Sequence, residues 1–476
     1  MSLDVSTNTT EARDALHAEY RDCLEENPHL DRALVSFQAN KRQPFYGWFK
    51  YKEGFSPQLV EYCLAGLRRP PGTLLDPFAG AGAALFASQD QGWNSLGIEV
   101  LPVCQFAIQA RLDGRRVAPE KFAEEASRIE KLNLRDLSHE DSAFRHISIT
   151  EGAFPPDTEA EMAGYMRHCR SSVRSPAIRR LLEFACMCVL EEVSFTRKDG
   201  QYLRWDSRSP KKTTGRPFDK GPIPPFRDAI RAKLRQMKDD LFRARYWLAP
   251  HRGNGRRKTT LELRQGSCLE VLPTLAERSV DVVFTSPPYC NRYDYTRTYA
   301  LELAFLGFSD SQVRSLRQQL LSSTVENRAK CEELRKTYEQ AGASDRFDAV
   351  SDMFAGQQAL REVLEILDHY RQAGQLNNPN IARMVRNYFY EMALVIAELA
   401  RVLVPGGAVV MVNDNVRYAG QIVPVDLILS DFAAGMGLQV ERIWTLPTGK
   451  GNSSQQMGAH GRKELRKCVY FWTKPG

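Results

Sequence analysis

The sequence predicts an α/β protein built on a seven-stranded, mostly parallel sheet with one antiparallel strand, helices on both faces, and two largely helical insertions. Three observations lead there. Apolar stretches of strand length alternate with stretches of helical periodicity, the pattern of strand–helix–strand units. Two strand stretches, "VDVVFT" (280–285) and "AVVMV" (408–412), are apolar or β-branched almost throughout, as buried strands are. The last two strands, "LQVERIWTL" and "KCVYFWTK", follow one another with no long helix between them, which makes one of them antiparallel. In such a sheet a ligand sits at the carboxyl ends of the strands.

The elements follow in order. Residues 1–40 are polar and helix-prone and read as a peripheral arm. "SPQLVEYCLAGLRR" has a serine N-cap at Ser56, proline at the first helical position and apolar residues at helical spacing. "GTLLDPFAGAGAALFASQDQGWNSLGIEV" (72–100) reads strand, glycine-rich turn, helix, strand, and a helix over about 101–112 follows. Alternation then stops. Residues 113–260 form an insertion with helical stretches around 119–132, 175–192 and 225–246. Strands resume at "LELRQG" (261–266) and "VDVVFT". A second insertion, 308–380, is helical and charged. "NYFYEMALVIAELARVLVPGGAVVMVND" then gives a long amphipathic helix, a Pro-Gly-Gly turn and a buried strand. The sheet domain is thereby assembled from 41–112, 261–307 and 381–476.

Bulk properties narrow the function classes. The 476 residues are 43% hydrophobic, enough for a sizeable core. A charged-then-apolar leader and an apolar run near 18 residues are both lacking, which points to a soluble cytoplasmic protein with no membrane partner. The ten cysteines are scattered without a CxxC pair, as in a reducing compartment. Cys186 and Cys188, with His168 and Cys169 nearby, lie on apolar helical stretches without ligand spacing, so they read as core and no metal is expected. The net charge of +7 says less than its distribution: "RKDGQYLRWDSRSPKKTTGRPFDK" (197–220) carries eight Lys/Arg against three Asp, interleaved with Tyr202 and Trp205. A loop that neutralises phosphates and stacks on bases has that composition, which makes Arg197, Lys198, Arg204, Lys211 and Lys212 candidate nucleic-acid contacts.

Two stretches carry chemistry. In "LLDPFAGAGAAL", Gly80 and Gly82 allow a tight turn and a close ligand approach after Asp76, and Glu99 ends the next strand where a carboxylate can accept both hydroxyls of a ribose. The dinucleotide third glycine and a triphosphate-binding G-x-x-x-x-G-K-[ST] are both missing. The second stretch is "TSPPY" (285–289), a buried strand ending on two prolines, which cannot continue a ladder.

Asp76-Pro77-Phe78-Ala79-Gly80-Ala81-Gly82 resembles the S-adenosylmethionine loop of the amino-methylating DNA methyltransferases, the N4-cytosine/N6-adenine family, and Ser286-Pro287-Pro288-Tyr289 resembles their catalytic tetrapeptide. "WFKYKEGFSPQLV", with Phe55 and Ser56, is similar to the segment that lies against the methionine end of that cofactor. The resemblance covers about half the chain and neither insertion. It implies a Rossmann-like methyltransferase fold, S-adenosylmethionine as cofactor, and double-stranded DNA as partner. It also admits a cognate restriction endonuclease as a second partner. Methyl transfer to an exocyclic amine needs the nitrogen lone pair localised. The Ser286 hydroxyl and the Pro287 carbonyl are the implied acceptors for the two N–H bonds, Pro288 stiffens them, and Tyr289 is a platform for a flipped base. Ser-Pro-Pro-Tyr leans to cytosine N4 and Asp-Pro-Pro-Tyr to adenine N6. The chain contains no Pro-Cys dipeptide, which argues against covalent attack on a cytosine ring, and Cys290 reads as a wall residue. Where the family often has Gly-Asp after the third strand, this sequence has Gly266-Ser267, so Ser267 is the weaker implied contact to the cofactor's adenine. Either insertion can hold target recognition, with 113–260 favoured for its basic aromatic loop. Asn413, Asp414 and Asn415 face the ligand edge without an assigned role. The rival readings are an RNA amino-methyltransferase of the same fold and a catalytically silent protein that binds the cofactor and DNA.

Overall fold

The computed structural model describes residues 10–199, 202–211, 217–248, 259–447, 460–461 and 463–476, with backbone only over 245–248. Its main sheet has eight strands: β1 (Leu24–Glu26), β2 (Thr73–Asp76), β3 (Asn94–Glu99), β4 (Leu261–Gln265), β5 (Val280–Thr285), β6 (Leu403–Asp414), β7 (Gln439–Thr445) and β8 (Lys467–Thr473). They lie in the order β1-β7-β8-β6-β5-β2-β3-β4. β8 runs antiparallel to both its neighbours, and every other pairing is parallel. The α/β class, the parallel sheet and the single antiparallel strand are those the sequence predicts.

Alternate residues of the central strands serve opposite faces. In β5, Val280 and Val283 join the core under the long helix Ile381–Val402, whereas Val282 and Phe284 pack with the helix Pro57–Leu67. In β6, Val409 and Met411 go one way and Val410 and Val412 the other. Burial on both sides is why these strands read as unbroken apolar runs.

The eighth strand is a departure from the expected seven. It comes from the segment read as a peripheral arm: Leu24–Glu26 pairs in parallel with Ile443–Thr445 at the sheet edge. Leu30, Val35 and Phe37 are buried just after it. The segment "LEE" carries no alternation to reveal an edge strand of three residues.

Residues 102–248 build a helical body with its own core. Its helices Pro102–Gly114, Pro119–Glu130, Pro176–Val193 and Phe226–Leu248 were legible in the sequence; Pro156–Ser172 was not. That helix contains Gly164, where a Cβ would come 1.7 Å from the Leu134 carbonyl oxygen, so a helix-weakening residue is required by close packing. Residues 295–306, which follow the second stretch, pack into this same body through Tyr299, Leu301 and Leu303. The second insertion forms four helices, Asp310–Gln319, Cys331–Gln340, Ser344–Gly356 and Gln358–Gln372, and the last three lie over Ile381–Val402 on one face of the sheet.

Each insertion is pinned by a buried lysine–glutamate pair, Lys198 to Glu302 and Lys330 to Glu391. The second pair is fully satisfied. Glu391 also accepts from the Ser322 N–H at 2.8 Å and the Ser322 hydroxyl at 2.5 Å, and Lys330 Nζ donates to the Leu320 carbonyl at 2.6 Å. Removing one partner of a buried pair costs about 3–5 kcal/mol, because the other charge is left uncompensated.

Candidate active site

The carboxyl ends of β2, β3, β4 and β5 open into one cleft. The β2–β3 end is built from carboxylates held by backbone. Asp76 is buried; its Oδ1 accepts from the Phe78 N–H at 3.1 Å and the Thr285 hydroxyl at 2.6 Å. Glu99 Oε2 accepts from the Gly80 N–H at 2.5 Å and Oε1 from the Leu101 N–H at 2.7 Å. Burial pushes Asp76 up to about 7 and Glu99 up to about 8, against the pull of those donors.

The glycines differ in role. Gly80 has φ +51° and lines the cleft, and a Cβ there would lie 2.8 Å from the Tyr51 ring. Gly82, at φ +83°, is off the cleft wall and opens the helix Ala83–Asp90 in close contact with Ile108 and Phe86. Pro77, Phe78, Ala79, Phe55 and Ser267 all line the cleft. Ser56 does not. Its buried hydroxyl caps Pro57–Leu67, accepting from the Leu59 N–H at 3.2 Å.

At the β5 end Ser286 and Pro288 line the same cleft, and Pro287 is buried behind them. The Ser286 hydroxyl donates to the Tyr289 hydroxyl at 3.3 Å, which leaves the serine lone pairs free to accept. Lys467, the first residue of β8, donates to the Tyr289 hydroxyl at 3.5 Å, and its Nζ stands 5.2 Å from the ring centroid. It pairs with Asp414 at 3.1 Å, its register partner on β6. Burial raises the Tyr289 phenol, so it stays protonated.

No family model matches the chain. Whole-chain relatives do. It is 44% identical over 471 residues to the type II methyltransferase M.AvaI of Nostoc sp. and of Anabaena variabilis, covering 97% of this chain and 93% of each relative. The type II methyltransferase M.BsoBI of Geobacillus stearothermophilus is 38% identical over 477 residues, covering 97% of this chain and 91% of that one. The chain belongs to the type II methyltransferases.

In this methyltransferase of restriction-modification type, the strand-end residues left open by the sequence separate cleanly. Asn413 Nδ2 donates to the Tyr388 hydroxyl at 2.9 Å, and Asn415 Oδ1 accepts from the Asp426 N–H at 3.0 Å, so both brace the fold. Asp414 alone of the three is turned to Lys467 and Tyr289. Residues the sequence reading missed complete the cleft: Tyr51, whose ring faces Gly80, Glu53, Tyr295, and Arg111, which ties the glycine turn to residues 45–46 through the carbonyls of Ala81, Phe45 and Tyr46. Leu320 and Leu321 of the second insertion also reach the wall. Their only sequence signal is position: Tyr51 and Glu53 lie inside "WFKYKEGFSPQLV", and Lys467 opens the last strand.

The basic residues divide. Arg197 and Arg204 are exposed register partners on a hairpin, Thr196–Lys198 with Leu203–Trp205, and the Arg204 guanidinium covers the Phe218 ring at 4.1 Å. Tyr202, beside them, is 51% exposed, the large apolar side chain most open to solvent among the described residues. Lys198 points inward, paired with Glu302 and 4.4 Å above the Tyr299 ring, so its charge is spent inside the protein. Lys211 Nζ donates to the Ser148 and Ile149 carbonyls at 3.0 and 3.2 Å, closing its loop onto the helical body. Lys212 lies outside the described residues. No helix among the described residues is long and apolar enough to cross a membrane.

Proposed function

We propose that this methyltransferase moves a methyl group from S-adenosylmethionine to the N4 amine of a cytosine flipped out of double-stranded DNA. The observation that carries the reading is that Ser286 and Pro288 share one cleft with Gly80 and Glu99. The residues fit the cofactor. Gly80 leaves space that a Cβ would fill, Glu99 suits the ribose hydroxyls, and Ser267 suits the adenine. When bound, S-adenosylmethionine supplies an electrophilic methyl on a sulfonium.

The chain's own residues then do three things. Ser286 and the Pro287 carbonyl accept from the two N–H bonds of the target amine, drawing its lone pair out of the ring. Tyr289 stacks the base and, through its hydroxyl, aims Ser286. Lys467, fixed by Asp414, holds Tyr289. Arg197, Arg204 and Tyr202 suit phosphate contact and base stacking at the edge of the helical body, the candidate target-recognition region. A cognate endonuclease that cuts the same unmethylated sequence is the implied partner.

The test is product chemistry. DNA treated with enzyme and methyl-labelled S-adenosylmethionine is digested to nucleosides. N4-methylcytosine is expected. N6-methyladenine would replace the base assignment and keep the site, and label in RNA alone would overturn the DNA reading.

A further inference from the structure

We infer that Arg292 grips a phosphate beside the flipped nucleotide and holds the DNA strand while the base lies on Tyr289. This rests on the DNA reading above. The residue stands three positions after Tyr289, in the turn that carries the chain from the β5 end to the short helices Tyr295–Thr298 and Ala300–Phe305.

The turn is fastened on both sides of Arg292. The Cys290 carbonyl accepts from the Tyr418 hydroxyl at 2.5 Å, and the Asn291 N–H donates to the Tyr289 carbonyl at 2.7 Å. The Asn291 side chain accepts from the Tyr293 N–H at 3.2 Å, and the Tyr293 carbonyl accepts from the Ser323 hydroxyl at 3.3 Å. Asp294 accepts from the N–H groups of Thr296 and Arg297 at 3.0 and 3.1 Å. Within this frame Arg292 takes a left-handed backbone, φ +67°. Glycine or asparagine adopts that region more cheaply than arginine. A strained residue persists where its surroundings over-determine it, and such residues gather at functional sites.

The side chain points to the same role. Arg297 and Arg317, further along the chain, both pair with Asp294, at 3.4 and 3.1 Å. The Arg292 Nε is buried and has no hydrogen-bond partner among the described residues. Its Nη1 donates to Asn377 Oδ1 across a long 3.3 Å. Asn377 is exposed, in the loop between the helices Gln358–Gln372 and Ile381–Val402, so the guanidinium reaches the surface beside the catalytic turn. A guanidinium in that state gains from a single group that takes Nε and an Nη together, and a phosphate does so as a fork. Under the DNA reading a phosphate arrives at this turn, because a base stacked on Tyr289 brings its own backbone with it.

The experiment measures binding to duplex DNA carrying the site mapped by product analysis, with a neutral methylphosphonate placed at each phosphate beside the target in turn. The proteins are wild type, Arg292→Asn, which suits a left-handed backbone, and Asn377→Ala. One methylphosphonate is expected to weaken wild-type binding by about tenfold or more. Arg292→Asn is expected to weaken binding to unmodified DNA as much, to lose nothing further on that modified duplex, and to keep the wild-type melting temperature and cofactor affinity. Asn377→Ala is expected to bind DNA as wild type does. Additive losses from variant and modification, wild-type DNA affinity in Arg292→Asn, or an equal loss in Asn377→Ala overturn the proposal. A fall in melting temperature together with cofactor affinity in Arg292→Asn makes the arginine structural and overturns it too. Wild type that methylates no DNA overturns the DNA reading and this proposal together.

Discussion

The two ends of the cleft are built from different kinds of contact. At the β2–β3 end the polar side chains are tied to main chain at 2.5–3.2 Å, as in the Glu99 bonds to Gly80 and Leu101 and the Arg111 bonds to Phe45 and Tyr46. Beyond Thr285, which closes on Asp76 at 2.6 Å, the contacts of Ser286 and Tyr289 at the β5 end join side chain to side chain and are long, 3.3 Å from Ser286 to Tyr289 and 3.5 Å from Lys467 to Tyr289. Hydroxyl pairs ordinarily close to about 2.7–2.8 Å. Backbone donors cannot re-aim, so the first end is fixed before any ligand arrives. The second end has slack, which the proposed target amine would take up. A constant cofactor suits the first arrangement and a base delivered by flipping suits the second.

The largest effect should come from breaking the fixed end. Gly80→Val places a branched side chain at φ +51° against Tyr51, and binding of S-adenosylmethionine should be abolished in calorimetry while DNA affinity persists. A folded variant with wild-type cofactor affinity would erase the distinction between the ends. Next is Ser286→Ala, which removes one acceptor at the adaptable end. Single-turnover methylation should slow by about 100-fold or more with cofactor affinity unchanged, and a wild-type rate would remove Ser286 from the mechanism. Tyr289→Ala should weaken capture of the flipped base by about 1–3 kcal/mol, measured as DNA affinity. Tyr289→Phe keeps the ring and loses the hydroxyl, so a rate loss with normal DNA affinity would isolate the role in aiming Ser286.

The smallest effect is a pH dependence of the fixed end. Burial raises Asp76 to about 7 and Glu99 to about 8. Groups with raised folded-state values contribute stability that is full below their ordinary values of about 4 and is lost as pH rises through 7 and 8. Ribose hydroxyls donating to Glu99 favour the carboxylate. Binding at pH 7 should therefore release a fraction of a proton, seen as a dependence of binding heat on buffer ionisation enthalpy. Glu99→Gln should remove most of that release; an unchanged value would assign it elsewhere.

The sheet and the fixed end were legible because their signals are local. A strand buried on both faces writes an apolar run, and a tight turn writes its glycines within seven residues of Asp76. The adaptable end was half legible: "SPPY" announces itself, but Lys467 and Asp414 meet only because β8 lies antiparallel beside β6. The basic loop misled for a related reason. Composition counts Lys198 and Lys211 as surface charge, while the fold turns one toward buried Glu302 and the other onto backbone carbonyls. Glu53 lies within the quoted segment, yet the phenols that hold its carboxylate, Tyr293 and Tyr299, are more than two hundred residues away.

The edge strand β1 also sets an order of events during synthesis. Leu24 finds its partner Ile443 only after roughly 400 further residues have been made. At about 5–20 residues per second that is a wait of about 20–80 seconds. Over the same interval β2 and β3, adjacent in sequence, can pair as soon as both have emerged, carrying Asp76, Gly80 and Glu99 with them. Lys467 reaches Tyr289 only with the final strand. A nascent chain therefore forms the glycine turn between β2 and β3 long before it completes the β5 end of the cleft. The sheet is complete only when β1 and β8, far apart in sequence, have taken their places on either side of β7.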